Sequence, residues 1–260
     1  FTESLTLFYE NFLASESEPR LGWNSAFALS PGSAPGFYCL LEHLRNCSRK
    51  PVSVKGQVTG PLTSGIGLHD QSGNAIFFDE NLRDVLIKQI SCNARWQVEQ
   101  LVPFCEHAPP IIFIDEPGMV SFGSTTLTSV SADMVLDSVS EVIDAIHQAG
   151  GLAGVHICAN GDWGPVLGSA ADILSFDAYS YFDNVMLYDK QLRNYLLRGG
   201  MLAWGIVPTG DGAAIERESL ERLVMQFEAQ VKQMAALGIS VEQLRAQTFI
   251  APSCGTGSLS

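Results

Sequence analysis

Six short apolar runs, each ending in a turn signal, are spaced along the chain from residue 51 onward. They read PVSVKGQVTGP (51–61), IIFIDEP (111–117), LAGVHICANG (152–161), DILSFDAYS (172–180), MLAWGIVPTG (201–210) and TFIAPSCG (248–255). The runs are apolar on both faces, as a buried parallel strand should be. Between most of them, apolar residues recur every three or four positions, the period of a helix. NLRDVLIKQISCNARWQVEQLV (81–102), SADMVLDSVSEVIDAIHQAG (131–150) and RESLERLVMQFEAQVKQMAALG (217–238) predict three long helices. Ser131 and Asp133 suit a helix start, and Gly150 and Gly238 suit helix stops. Trp96 and Met225 sit at helical spacing and are expected in the core.

Strand and helix in alternation read as parallel α/β. Six such strands fit a (β/α)8 TIM barrel better than a doubly wound sheet. A full barrel needs eight, so the N-terminal strands are expected to be missing or irregular. Residues 1–50 show little regularity, and NSAFALSPGSAPGF reads as loop. The expected organisation is one domain over 1–260, with a recognisable barrel core over 51–256.

Composition narrows the class. The chain has 260 residues, 46% of them hydrophobic, which is enough for a large core. A formal net charge of -13 argues against nucleic acid and anionic membrane as partners. No run of about 18 apolar residues occurs, so no spanning helix is expected. The sequence starts at Phe1 and shows no signal peptide. Its six cysteines are scattered without a Cys-x-x-Cys pair and do not read as a disulfide framework, so a reduced, cytoplasmic setting is expected.

The polar residues able to do chemistry gather at the ends of the apolar runs, where a parallel barrel carries its active site. Thr59 ends the first, Asp115 and Glu116 the second, His156 and Cys158 the third, Asp177 the fourth and Cys254 the sixth. His156 and Cys158 are two apart on a strand and face the same side. Zinc takes imidazole nitrogen and thiolate sulfur, so Cys254 is a natural third ligand and Asp177 a fourth, or a partner that orients His156. The plainer alternative is a pair of core residues, since buried cysteines are common and mostly inert. Asp115 and Glu116 point opposite ways, so one of them faces a pocket; an ordinary solvated pair is the alternative. His43, His69, His107 and His147 carry no signal, nor do Cys39, Cys47, Cys92 and Cys105.

Taken in order, VTGPLT, IDEPGM, HICANG, ILSFDAYS and APSCG resemble the catalytic barrel of cobalamin-independent methionine synthase. They are also similar to the related uroporphyrinogen decarboxylase and corrinoid-dependent methyltransferase barrels. The resemblance covers roughly residues 51 to 256. It implies a zinc ion held by His156, Cys158 and Cys254. Asp177 falls where the methionine synthases carry a glutamate ligand, one methylene longer. Asp115 matches the aspartate that holds the amino group of homocysteine, Glu116 belongs to the same motif, and Thr59 joins them as a candidate substrate contact.

The implied activity is methyl transfer to a zinc-bound thiol, with homocysteine as acceptor and folate or a methylcorrinoid protein as donor. Folate-dependent methionine synthases carry a second barrel that helps bind the donor, and 260 residues are too few to hold it. Coenzyme M has a sulfonate and no amine, so the carboxylates of IDEP favour homocysteine. A porphyrin decarboxylase should show Arg near the strand ends, whereas most Arg residues lie on helical segments. A barrel with a structural zinc is the non-enzymatic alternative.

Overall fold

The computed structural model describes residues 2–121, 130–210 and 212–256. Each apolar run contains a strand: β1 (Lys55–Thr59), β2 (Ile111–Asp115), β3 (Leu152–Ile157), β4 (Ile173–Phe176), β5 (Met201–Val207) and β6 (Thr248–Pro252). They form one six-stranded parallel sheet in the order β1-β2-β3-β4-β5-β6. The fold is α/β, and spatial order equals sequence order throughout; a doubly wound sheet reverses direction at its middle.

Burial differs along the sheet. The strands β4 and β5 are buried on nearly every residue. The first strand instead alternates, exposing Lys55, Gln57 and Thr59, and β6 exposes Phe249 and Ile250. Apolarity on both faces therefore holds for the inner strands and fails at the two terminal ones.

The helices are α1 (Thr2–Ser17), α2 (Pro35–Asn46), α3 (Pro61–Gly67), α4 (Glu80–Leu101), α5 (Ala132–Gln148), α6 (Gly164–Gly168), α7 (Ala178–Val185), α8 (Asp189–Leu197), α9 (Gly212–Arg217), α10 (Leu220–Ala235) and α11 (Val241–Ala246). The three expected long helices are α4, α5 and α10. Ser131 starts α5 by accepting the Met134 N–H at 3.1 Å. Gly150 and Gly238 follow α5 and α10 with φ of 82° and 84°, the left-handed conformation that ends a helix. Two expectations are corrected. Residues 1–50 hold two helices, not only loop. Met225 is 72% exposed, because α10 buries Gln230, Val231 and Met234, a face from which Met225 points away.

The chain divides into two compact units, residues 1–115 with 137–153 and residues 116–136 with 154–260. In the first, α4 lies close against β1. Gln97 ties them, its Oε1 accepting the Gln57 N–H at 3.1 Å and its Nε2 donating to the Gln57 carbonyl at 2.9 Å. Only a glycine fits opposite: a Cβ on Gly56 would lie 2.5 Å from Gln97 Oε1. Trp96, Leu41, Leu62 and Phe77 fill the core behind them. Helix α1 packs on α4 through Tyr9, whose hydroxyl donates to Asp84 at 2.6 Å, and through Arg95, which donates to the Ser15 carbonyl at 3.0 Å.

The second unit is built around Trp204 of β5. Its ring stacks on Phe182 and meets Phe227 edge-on. Its Nε1 donates to Gln230 Oε1 at 2.8 Å, and Gln230 Nε2 donates to the Ala178 carbonyl at 2.7 Å. This satisfies the buried polar atoms that a tryptophan brings into a core. The pairing of β5 with β6 slips between Gly205 and Val207, a bulge of the kind that re-aims a strand end. Among the described residues no helix is long and apolar enough to cross a membrane.

Candidate metal centre

His156, Cys158 and Cys254 come together in the second unit, with their ligand atoms all within 4.8 Å of one another. Nε2 of His156 lies 2.9 Å from Sγ of Cys158, which lies 3.2 Å from Sγ of Cys254. His156 and Cys158 are half-buried and Cys254 is exposed, so the group opens to solvent. All six cysteines are free thiols.

Local structure explains each position. His156 lies near the end of β3 and pairs in register with Ser175 of β4. The Ser175 Oγ, almost fully buried, sits 2.9 Å from His156 Nδ1. The serine thereby occupies one ring nitrogen and leaves Nε2 for the cluster. Cys158 follows the strand, and Ala159 after it takes a φ of 50°, a left-handed turn uncommon for alanine. The Glu116 N–H donates to the His156 carbonyl at 2.8 Å and holds the strand end from behind.

Cys254 is placed by its neighbour. The Ser253 N–H donates to the Val207 carbonyl at 2.8 Å, and Ser253 Oγ accepts the Thr209 N–H at 3.1 Å. The hydroxyls of Thr209 and Ser253 are 3.0 Å apart, and both residues are buried. Gly205 permits this approach: a Cβ there would lie 2.5 Å from the Phe176 carbonyl oxygen and 2.8 Å from Ser253 Cα.

The donor set is one nitrogen and two sulfurs, which suits zinc. Tetrahedral zinc bond lengths space nitrogen from sulfur by about 3.6 Å and sulfur from sulfur by about 3.8 Å. The observed 2.9 and 3.2 Å are a little tighter. Small side-chain rotations open that gap, so the residues fit the ion.

The other expected site residues are placed elsewhere. Asp177 is not part of the cluster; its carboxylate caps α7, accepting the Ser180 N–H at 2.9 Å. Glu116 is fully buried in the second unit. Asp115 belongs to the first unit, half-buried, and its register partner is Thr59. Those two line a cleft of about 700 Å³ together with Lys55 and Gln57. Burial pushes the Asp115 carboxyl up, against the pull of Lys55, and pushes the Lys55 ammonium down, against the pull of Asp115.

The supporting residues Ser175, Gly205, Thr209, Ser253 and Lys55 are not singled out by sequence reasoning. Ser175 has a usable signal, as a lone hydroxyl in the apolar strand ILSF must find a partner. No protein-family model matches the chain, and a search of curated proteins finds no significant match.

Proposed function

We propose that this protein is a zinc-dependent methyltransferase that moves a methyl group onto a thiol, with homocysteine as acceptor and methionine as product. The observation that carries this reading is the convergence of His156, Cys158 and Cys254 to within 4.8 Å. Three protein ligands leave one position for water or substrate, whereas a structural zinc is closed by four. Among the described residues the cluster has three members, which favours the open site.

A zinc ion held by His156, Cys158 and Cys254 would lower the pKa of a bound thiol from its usual value of about 8.5 and so supply a thiolate at neutral pH. The chain's own residues set the conditions. Ser175 fixes the His156 ring with Nε2 toward the two sulfurs. As metal ligands, Cys158 and Cys254 would bring negative charge that keeps the acceptor sulfur electron-rich. The acceptor thiol gives up its proton and takes the methyl group, and the donor keeps the electron pair of the broken bond. A methylcorrinoid protein or a methylated folate is the donor in this reading. The finer fold is a (β/α)8 barrel, supported by six parallel strands in sequence order with helices between them.

X-ray absorption at the zinc edge tests the proposal on metal-loaded protein with and without homocysteine. The expected result is the gain of one sulfur in the zinc shell and the loss of one oxygen or nitrogen. An unchanged shell with both homocysteine and coenzyme M would sink the thiol-activating role. Cys254→Ser should lose zinc, and full zinc stoichiometry in that variant removes Cys254 from the ligand set.

A further inference from the structure

We infer that a cavity between α1, α4 and α5 in the first unit binds a small aliphatic amine by its primary ammonium group. The cavity shares no residue with the metal centre or with the cleft beside β1. It does not rest on the methyl-transfer reading.

Helical spacing builds its walls. Phe12 and Glu16 stand four apart on α1, and Ser91 and Arg95 four apart on α4. On α5, Asp144 follows Glu141 by three and Gln148 follows Asp144 by four. Residues so spaced share one face of their helix. The three faces enclose about 190 Å³.

The polar atoms of these walls lack donors. Ser91 is 5% exposed, and its Oγ has no hydrogen-bond partner. The side chains of Asp144 and Gln148 have none among the described residues. Glu16 meets Arg95 at 3.7 Å and Glu141 meets Lys88 at 3.5 Å, whereas a direct charge-assisted hydrogen bond is about 2.8 Å long. Both cations are committed elsewhere. Arg95 donates to the Glu99 carboxylate and to the Ser15 and Glu18 carbonyls, and Lys88 donates to Asp84. Three carboxylates thus face one arginine, and the lining is net negative.

A buried hydroxyl without a partner is costly, and so is a carboxylate drawn from water without a donor. A cation rich in N–H groups answers both. A primary ammonium has three, which suit Ser91 Oγ, the Asp144 carboxylate and Gln148 Oε1, while its charge offsets the acidic wall. A bare metal ion needs its ligand atoms drawn around one point. Among the described residues the acidic, His and Cys groups gathered that closely are His156, Cys158 and Cys254. An anion is repelled. Phe12, Cys92 and Ala145 offer methylene groups an apolar wall, so the ammonium comes on a short aliphatic chain.

The probe is 1,4-diaminobutane, titrated calorimetrically into the full chain at physiological salt. Saturable binding is expected. Asp144→Asn should weaken it about ten-fold, the loss of one charged hydrogen bond. Ser91→Ala should weaken it about three-fold or more. The quaternary analogue, with every N–H replaced by N-methyl, keeps both charges and should not saturate. Glu242→Gln removes an exposed carboxylate of the second unit and should leave the affinity unchanged. The amine site is overturned if the diamine does not saturate, if the quaternary analogue binds equally well, or if Ser91→Ala leaves binding intact. It is also overturned if Asp144→Asn weakens binding no more than Glu242→Gln, since the cation then gathers on the acidic surface at large.

Discussion

The hydroxyl of Ser175 stands 2.9 Å from Nδ1 of His156, while Nε2 on the far side of the same ring faces Cys158 at 2.9 Å. One short side chain on β4 thus sets which nitrogen of a β3 histidine is offered to a metal. Losing a partner of this kind typically costs 10–100-fold in metal affinity. Ser175→Ala should therefore raise the zinc dissociation constant by about ten-fold or more, with the circular dichroism spectrum unchanged. Competition against a chromophoric chelator measures it. Equal affinities in the two proteins would show that the serine merely fills space.

Gly205 makes the second prediction. A Cβ at this position would meet backbone on two sides, the Phe176 carbonyl at 2.5 Å and Ser253 Cα at 2.8 Å. Backbone cannot rotate out of the way, so the end of β6 must move, and Cys254 moves with it. Gly205→Ala should destabilise the fold by about 1–3 kcal/mol, the usual cost of overpacking. It should also weaken zinc binding. Urea unfolding and zinc titration on the same preparation check both, and loss of stability with zinc affinity intact would mean that β6 yields without carrying Cys254.

The third concerns the sulfurs themselves. Cys158 and Cys254 lie 96 positions apart in sequence and 3.2 Å apart in space. A disulfide needs them at about 2.05 Å, a small approach. Hydrogen peroxide, taking two electrons and two protons from the thiol pair and leaving as water, should join these two before any other cysteines in metal-free protein. Zinc loading should protect them. Peptide mapping by mass spectrometry reads the linkage; scrambled pairing, or no pairing at all, would contradict the geometry.

Much of this arrangement was legible in the sequence, for local reasons. The six strands announced themselves as apolar runs ending in Gly, Pro or Asp, and the long helices through their period and their Ser and Gly ends. His156 and Cys158, two apart at one strand end, and Cys254 at another nominated the three residues that converge. Asp177 shows where local chemistry competed. An aspartate just before a helix readily bonds the N–H groups of the first turn, and here it accepts from Ser180. The helices α1 and α2 were missed because what fixes them is distant: Tyr9 reaches Asp84, and Trp96 packs against Phe37. The cleft was invisible for the same reason. Lys55 and Asp115 share a wall only once β1 and β2 pair in register.

Asp115 gives the last prediction. Burial raises the Asp115 pKa above its ordinary value of 3.8, with Lys55 opposing the shift only in part. A carboxyl with a raised folded pKa holds its proton more tightly in the native state than in the unfolded chain. Its ionisation therefore costs stability, and the loss accrues as pH rises from 3.8 through the folded pKa, then levels off. Asp115→Asn removes that titration. The variant should gain stability relative to the parent across the same window and keep the gain at neutral pH. Chemical unfolding at a series of pH values measures it. A variant less stable than the parent at neutral pH would mean that Asp115 serves the fold, and that its exposure to the cleft is incidental.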